Sequence, residues 1–317
     1  MKCHMTMVRQ VREYLQLRQT LGFKMKSQGQ LLRRFAKDLD RSGHRGPLTT
    51  EMALRWVNLP KNISQSYRAH RLSTVRCFAR YLAAHDGQTE VLGRYLMLKV
   101  RSRRQPHLYN QHELEQLLAA TDWLRPMYPL KRLVYRTLFG LLACTGLRVS
   151  EALKLNAADV DLKHGVLRIK ETKFKKSRLV PLHPTVTRAL RRYAQTRYGQ
   201  QVLRDESPFF VNRYGNHLAY DTVRRTFACL RDMLGWKNGN GELPRPRIHD
   251  LRHTFACQRL LAWYRQGKDV HNLIVALSTY LGHSHVTETY WYLTATPELM
   301  AIAGGRFERF AGMGKGG

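Results

Sequence analysis

Two short stretches near the C-terminal end hold most of the reactive side chains of this chain. Residues 249–253 read HDLRH, and residues 281–292 read LGHSHVTETYWY. Arginine binds phosphate through paired hydrogen bonds, histidine donates hydrogen bonds or moves protons, and the tyrosine phenol is a nucleophile. Attack on a phosphodiester needs these groups together, and no carboxylate cluster for a metal accompanies them. The two stretches therefore predict phosphodiester chemistry.

The composition predicts a polyanionic partner. The 317 residues include 54 Lys and Arg against 23 Asp and Glu, which gives a net charge of +31 and a pI near 10.5. Such a charge attracts nucleic acid because each neutralised phosphate releases condensed counterions. An anionic membrane surface is the alternative, but no stretch approaches the roughly 20 apolar residues of a membrane span. The N-terminus also has no signal-peptide core, so we expect a cytoplasmic, nucleoid-associated bacterial protein without a membrane partner.

The cysteines support the same compartment. They are odd in number and scattered without a CxxC spacing, which indicates reduced thiols rather than a disulfide or zinc framework. They are Cys3, Cys77, Cys144, Cys229 and Cys257.

Residues 1–100 are predicted to form an all-helical domain. Apolar residues recur there at helical spacing, and Ser27 and Thr50 are predicted helix N-caps. The polar face of the last helix is rich in arginine. A charged helix face is often only solvated, but nearly all the charges here are positive, so we predict that this face binds DNA. The predicted DNA-binding residues of this helix are Arg68, Arg71, Arg76 and Arg80.

A basic linker is predicted at residues 101–109. It has little apolar content, and its charges suit a segment lying along a phosphate backbone. Asn110 then begins a new helix, with Glu113 completing a capping box. The predicted DNA-binding residues of the linker are Arg101, Arg103 and Arg104.

The second domain, at residues 110–310, is predicted to be mostly helical with one β interruption. Alternating apolar residues predict a hairpin or small antiparallel sheet from residues 164–170 and 178–182. Residues 311–317 are predicted to be a flexible tail. Four later periodic stretches predict helices near residues 184–198, 219–235, 249–266 and 269–282.

A further arginine lies in a predicted turn between two helices. Residues 143–151 read ACTGLRVSE, where a hydrophobic helix ends at Gly146 and the next begins near Ser150. Arg148 then lies in the turn, and Glu151 is within reach to orient its guanidinium. Taken alone, this pattern also fits an ordinary surface arginine beside a C-capping glycine.

The histidines of HDLRH raise a zinc alternative, because His249 and His253 are spaced i, i+4 on a helix. Against it, Arg252 would place a fixed cation in the metal site, and the glutamate of an HExxH motif is absent. We therefore predict no metal and no cofactor.

With these elements together, the chain resembles the tyrosine recombinase family, also called phage integrases, of the mobile-element type. Five motifs follow the order of the family over about 150 residues, and one motif alone would be weak support. They are TGLRVSE at 145–151, the lysine of TKFKKSRLVPL at 172–182, HDLRH, LGHS at 281–284, and the terminal tyrosine.

The resemblance implies a mainly α fold in two domains. Residues 1–100 would form a helical DNA core-binding domain. Residues 110–310 would form a mixed α/β catalytic domain, mostly helical with a small antiparallel sheet. The two would close as a C-shaped clamp on DNA.

The resemblance also implies how the phosphate is held. Arg148 and Arg252 would bind the non-bridging oxygens of the scissile phosphate and offset charge in the transition state. His283 would donate a further hydrogen bond to the phosphate. Lys173 would be the general acid on the leaving 5′ oxygen. Its neighbours Lys175 and Lys176 are rivals for that role and are otherwise predicted to contact the DNA backbone.

The nucleophile implied by the resemblance is Tyr292, which follows the LGHS histidine by nine residues as the family tyrosine commonly does. Tyr290 is the alternative, and on a helix it points roughly 200° away. His249 would act in proton transfer at the nucleophile. His253 and His285 are expected to be structural or secondary.

The implied activity is that of a site-specific DNA recombinase, which cleaves and rejoins strands through a 3′-phosphotyrosyl intermediate. Its partner would be a double-stranded recombination site, bound by a homotetramer that is a dimer or monomer when free, and accessory proteins stay open. An integrase, a transposon recombinase or a cointegrate resolvase would fit. Alternatives are a type IB topoisomerase-like relaxing enzyme and a non-catalytic basic DNA-binding or architectural protein.

The apolar residues after Pro297 predict a C-terminal helix with one hydrophobic face. That face would dock either on its own domain or on a neighbouring protomer. The residues are Leu299, Met300, Ile302, Phe307 and Phe310.

Overall fold

The computed structural model divides into two compact units, Met1–Arg103 and Arg104–Gly317. Three sets of predictions fall on residues that the structure does not describe. They are the predicted general acid Lys173, the predicted tail at residues 311–317, and five predicted DNA-binding residues, Arg101, Arg103, Arg104, Lys175 and Lys176. The described residues are 5–93, 96, 105–170, 177–199, 205–236, 245–294, 298–302 and 304–305.

The N-terminal unit is built from helices. Its core is apolar, with Phe35 and Phe78 fully buried between them. Thr49, rather than the predicted Thr50, caps the third helix, because its hydroxyl accepts from the backbone N–H of Met52. The second helix begins after Met25, not at Ser27. The helices are α1 (Met7–Thr20), α2 (Lys26–Arg41), α3 (Thr50–Asn58) and α4 (Gln65–Asp86).

The second unit is mostly helical, as predicted. Its first helix begins with the predicted capping box, in which Asn110 and Glu113 bond each other's backbone N–H. The helices are α5 (Gln111–Ala120), α6 (Lys131–Thr145), α7 (Val149–Ala152), α8 (Pro184–Tyr198), α9 (Tyr220–Met233), α10 (Asp250–Arg265), α11 (Val270–Leu281) and α12 (Thr287–Tyr290). Short 3₁₀ turns lie at Thr121–Trp123, Ala157–Asp159 and Trp291–Thr294. None of the described helices is long and apolar enough to cross a membrane.

A three-stranded antiparallel sheet interrupts the helices, which confirms the mainly α fold with a small sheet. Its order is β1 (Val160–Asp161), β2 (Val166–Ile169) and β3 (Arg178–Pro181). The strands β2 and β3 are the predicted hairpin, and Leu167 pairs with Val180 on the buried face. Strand β1 was not predicted, because two residues are too few to show an alternating pattern.

Helix α6 lies in the core of the second unit, where it packs against α8 and α10. It is apolar on nearly every side. Phe139 and Leu138 are fully buried, and the ring of Phe139 meets Phe227 of α9 edge-on at 5.8 Å. This burial fixes the C-terminal end of α6, where the turn carrying Arg148 begins.

Gly146 ends α6 in the left-handed conformation, with φ of +62°. A Cβ at this position would lie 2.6 Å from Cδ1 of Phe255 in α10. Two independent reasons therefore require glycine here: the backbone conformation and the close approach of α10. The turn that carries Arg148 is therefore packed against α10, the helix that carries Arg252.

Replacing Gly146 with Ala is expected to destabilise the chain by about 2–4 kcal/mol, from left-handed strain plus the shift of the Phe255 ring. Gly267 is the matched control, because it has φ of +68° in the same unit but open space around its Cβ position. Its alanine variant should lose only the strain, about 1 kcal/mol. Urea unfolding of the full chain measures both, and equal losses would contradict the packing argument.

A second cluster of apolar residues lies between α10 and α11. Tyr292 and Leu299 both belong to it, with exposures of 3% and 1%. Leu299 therefore docks on its own chain, while Met300 is exposed. Phe307 and Phe310 of the predicted C-terminal face lie outside the described residues.

Candidate active site

The site is assembled from four places in the second unit. They are the turn between α6 and α7, the first turn of α10, the C-terminal end of α11, and the 3₁₀ turn Trp291–Thr294, which contains Tyr292. Arg252 joins three of them, because its guanidinium donates to Gly146 O and to Leu281 O, each at 2.8 Å. Residues more than a hundred positions apart are brought together by these bonds.

Arg148 lies in the turn, where it is one-quarter exposed, and Glu151 orients it as predicted. One Nη donates to the Glu151 carboxylate at 2.8 Å, and the backbone N–H of Arg148 donates to the other carboxylate oxygen at 3.0 Å. The second Nη donates to Gly282 O at 2.9 Å. The guanidinium is thus held on two sides and keeps unused N–H groups for a ligand.

Arg252 is buried, with 3% of its surface exposed. Burial, as the largest cause, lowers the pKa of Arg252 to about 10, although the neighbouring Tyr292 opposes the shift. The side chain is therefore still a cation at neutral pH. A buried cation held by fixed carbonyl oxygens is preorganised to bind an anion, because it needs little rearrangement when the anion arrives.

The C-terminal end of α11 collects three arginines. Its last carbonyls have no partner within the helix and carry partial negative charge. Tyr280 O, Leu281 O and Gly282 O accept bonds from three guanidinium groups. The donors, in the same order, are Arg178, Arg252 and Arg148.

Tyr292 lies beside Arg252 in the buried cluster. Burial raises the pKa of the Tyr292 phenol above its ordinary value, and the charge of Arg252 and a hydrogen bond from it oppose the rise. The phenol is therefore neutral in the free protein. It has to give up a proton before or during any attack.

His249 and His253 lie at the start of α10, their rings meeting edge-on at 5.0 Å. His249 is exposed, but partial desolvation and then the charge of Arg252 lower its pKa. A neutral imidazole near the site can accept a proton. Among the described residues, no three His, Cys, Asp or Glu side chains are grouped as a metal ion would need.

His253 packs against the rings of Trp291 and Tyr292, at 5.2 and 5.5 Å. Burial and then the charges of neighbouring His249 and the arginines lower its pKa to about 3. Its Nδ1 has no hydrogen-bond partner among the described residues. This packing suits the structural role expected from the sequence.

His283 stacks on Tyr292, with ring centroids 6.0 Å apart. Its Nδ1 lies 2.6 Å from the hydroxyl of Thr289, a residue with no exposed surface. Burial first, and the charge of Arg252 next, lower the pKa of His283 to about 3. If the Thr289 hydroxyl donates to Nδ1, the neutral ring presents a hydrogen on Nε2.

The free energy of unfolding is expected to fall as the pH drops below about 6.5, the ordinary histidine pKa. His253 and His283 have a pKa of about 3 when folded. Between these two values the unfolded chain binds more protons, so acid favours unfolding. Replacing His253 with Phe keeps a ring against Trp291 but removes one titrating group.

Urea unfolding between about pH 7 and pH 5, around the ordinary histidine pKa, measures this effect. We expect a shallower pH dependence for His253→Phe than for the wild type. The difference between the two slopes isolates His253 from the other titrating groups. Parallel curves would show that His253 is protonated equally in both states.

The arginines of α4, predicted to face DNA, have different surroundings. Arg80 is exposed, and Arg68 and Arg76 are partly buried, bonded to nearby carbonyls. The prediction that Arg71 lies on the DNA-binding face is wrong, because this side chain is buried. It is 7% exposed, its guanidinium covers the Trp56 ring at 3.6 Å and donates to Trp56 O at 2.7 Å. It packs inside the N-terminal unit because stacking on indole removes it from the surface.

Two polar residues near the site, Arg178 and Thr289, were not predicted to belong to it. The sequence predicts Arg178 only as the start of a strand, and no pattern in it gives Thr289 a role. Thr289 bonds His283, a predicted catalytic residue, and Arg178 bonds Glu151, the residue that orients Arg148. No spacing pattern described for the sequence signals either contact.

Comparisons with known proteins identify the family of this chain. Residues 108–298 match the phage integrase family. A protein of Sinorhizobium fredii (strain NBRC 101917 / NGR234), named an integrase/recombinase (y4rB), is 41% identical over 303 residues, 94% of this chain and 96% of that protein. The tyrosine recombinase XerC of Thermodesulfovibrio yellowstonii is 29% identical over 73% of this chain and 72% of its own.

Solved structures show the same fold. The Tn1549 transposon integrase in complex with transposon right end DNA has a TM-score of 0.70 at 19% identity, covering 97% of this chain and all of that chain. The XerH site-specific recombinase bound to its difH substrate has a TM-score of 0.63, also at 19% identity, covering 88% of this chain and 78% of that one. This chain belongs to the phage integrase family, and it is a tyrosine recombinase, a DNA-binding enzyme that breaks and rejoins DNA strands.

Proposed function

We propose that this chain is the site-specific recombinase of a mobile element, and that Tyr292 is its nucleophile. One observation carries the proposal: Tyr292 is buried beside Arg252. Arg252 donates to Leu281 O, and Arg148 donates to the adjacent carbonyl, Gly282 O. Two fixed cations and a phenol therefore converge at the end of α11. A protein that only binds DNA has no use for this arrangement.

In the proposed first step, Arg148 and Arg252 bind the non-bridging oxygens of the scissile phosphate. Negative charge grows on these oxygens in the pentacoordinate transition state, and guanidinium groups already in place stabilise it. The hydrogen on Nε2 of His283 would supply a further bond. Its Thr289 contact supports this role because it fixes the ring.

Bond formation follows at phosphorus. The Tyr292 oxygen forms a bond to the phosphorus, its proton passes to His249, and the bond to the 5′ oxygen breaks. We assign the proton on the leaving 5′ oxygen to Lys173, by its motif position. A 3′-phosphotyrosyl link and a free 5′-hydroxyl result.

Rejoining reverses these steps on a partner duplex. The 5′-hydroxyl of the partner strand attacks the phosphotyrosyl link and releases Tyr292. The energy of the phosphodiester is kept in the covalent link, so no ATP is consumed. Four protomers on two paired sites would exchange strands through a Holliday junction, and we place this reaction on the bacterial nucleoid, where its substrate lies.

Exchange between two DNA sites tests the proposed function. The DNA attached to the protein in cells is first trapped and sequenced, which defines the target site. Two copies of that site are then placed on one supercoiled plasmid and treated with the purified chain. We expect recombinant circles, and relaxation of the plasmid without any exchange would instead support a topoisomerase.

Cleavage is expected to be unchanged by EDTA at millimolar concentration. In the proposed mechanism, charge on the phosphate is offset by Arg148 and Arg252 rather than by a metal ion. Adduct formation on a nicked duplex, with and without EDTA, measures this directly. Loss of the adduct with EDTA, and its return with added Mg²⁺ or Zn²⁺, would contradict the mechanism.

A further inference from the structure

Arg178, at the start of β3, makes a set of contacts that the proposed mechanism does not use. Its two Nη groups donate to the two carboxylate oxygens of Glu151, at 3.1 and 2.8 Å. Its Nε donates to Tyr280 O at 2.8 Å. The side chain is only 10% exposed. All three nitrogens therefore face fixed acceptors within the protein.

Glu151 is shared between two arginines. Each of its carboxylate oxygens accepts one bond from Arg178 and one from Arg148. The carboxylate is itself buried, at 7% exposure. Burial raises the pKa of Glu151, but bonds and charge from Arg178 and then Arg148 outweigh it, so the carboxyl is ionised. The plane of the carboxylate is set by the fork of Arg178.

The guanidinium of Arg178 is also closely packed. A Cβ on Gly282 would lie 2.5 Å from Nη1 of Arg178, so the guanidinium lies directly against the backbone of that residue. The carbonyl of the same Gly282 accepts a bond from Arg148. Both of the groups that hold Arg148, the Glu151 carboxylate and Gly282, are thus in contact with Arg178.

We propose that Arg178 is a positioning residue, which acts through Glu151 to hold Arg148 in the orientation that binds the scissile phosphate. The proposal rests on the proposed function of this site. A bidentate fork is required rather than a positive charge alone, because one ammonium cannot reach both oxygens of Glu151 and Tyr280 O together. Without the fork, Glu151 and Arg148 would sample other orientations, which lowers preorganisation.

A double-mutant cycle tests the proposal. The rate of covalent adduct formation is measured in single turnover, with the full chain and a nicked duplex of the trapped site. Arg178→Met is made in the wild type and in Arg148→Ala. In the wild type we expect a loss of about 10–100-fold, the scale of a misplaced catalytic group, with DNA affinity within about twofold. In Arg148→Ala the further loss should be under about threefold, because the positioned group is already gone.

Equal losses in the two backgrounds would overturn the proposal, since a general effect on folding is independent of Arg148. Arg178→Lys is the second variant, which keeps the charge but not the fork. We expect it to stay at least about fivefold below the wild type, and full activity would also overturn the proposal. Failure of the wild type to form an adduct would instead reject the proposed function, so the two failures are distinguishable.

Discussion

Tyr292→Phe is expected to abolish covalent protein–DNA adducts. The substitution removes a single oxygen, the one that would form the bond to phosphorus, and leaves the buried ring in place. The rate should fall by about 10⁴ or more, since removing a catalytic nucleophile costs up to ~10⁶ in well-studied enzymes. Adducts on a nicked suicide duplex, seen as a band of lower mobility in denaturing gels, provide the measurement.

DNA binding by Tyr292→Phe should be retained, because the attraction depends on a net charge of +31 that the substitution does not change. Tyr290→Phe is the matched control. Tyr290 lies two residues away and is partly buried against the same cluster as Tyr292. The Tyr290→Phe variant should form adducts at close to the wild-type rate. Adducts from Tyr292→Phe, or their loss in Tyr290→Phe, would remove Tyr292 from its assigned role.

The second large effect is expected from Arg148→Ala and Arg252→Ala. Each removes a preorganised donor to the non-bridging oxygens, which should lower the cleavage rate by about 10²–10³. Both variants should still bind DNA, because each removes only one of the 54 Lys and Arg side chains. Binding by gel shift and adduct formation in single turnover separate the two effects. Normal cleavage by either variant would exclude that arginine from the site.

The two arginine variants should differ in stability. Arg252 is buried and satisfies two carbonyls, Gly146 O and Leu281 O, which its loss would leave without their donor. Unpaired buried groups cost about 1–3 kcal/mol each, so Arg252→Ala should lower the free energy of unfolding by roughly 2–5 kcal/mol. Arg148 is one-quarter exposed, and its variant should lose less. Urea unfolding of both variants gives the comparison, and the reverse order would contradict these contacts.

Much of the second unit could be predicted from local patterns. Helices α8 to α11 begin and end within two residues of the predicted ranges, because a glycine follows each of them within two residues and marks a clear stop. The turn at Gly146 and the contact between Arg148 and Glu151 were also confirmed, since they depend on residues three positions apart. Local geometry determines such contacts.

Contacts between distant residues could not be predicted in this way. The bonds of Arg178 to Tyr280 and of Arg252 to Gly146 span 102 and 106 positions. No spacing rule connects them, because they arise only when α6, α10, α11 and β3 pack together. The prediction for Arg71 was wrong for a related reason. Its charge predicted a surface position, but the side chain packs on the ring of Trp56, 15 residues away.

The most direct test of the proposed mechanism identifies the amino acid that is joined to DNA. The wild-type chain is trapped on a nicked suicide duplex, digested with nuclease and protease, and the peptide that carries the residual nucleotide is sequenced by mass spectrometry. We predict a single linkage, at Tyr292, to a 3′ phosphate. A linkage at Tyr290, at Tyr280 or at any serine, or a 5′ phosphate at the junction, would contradict the proposed site.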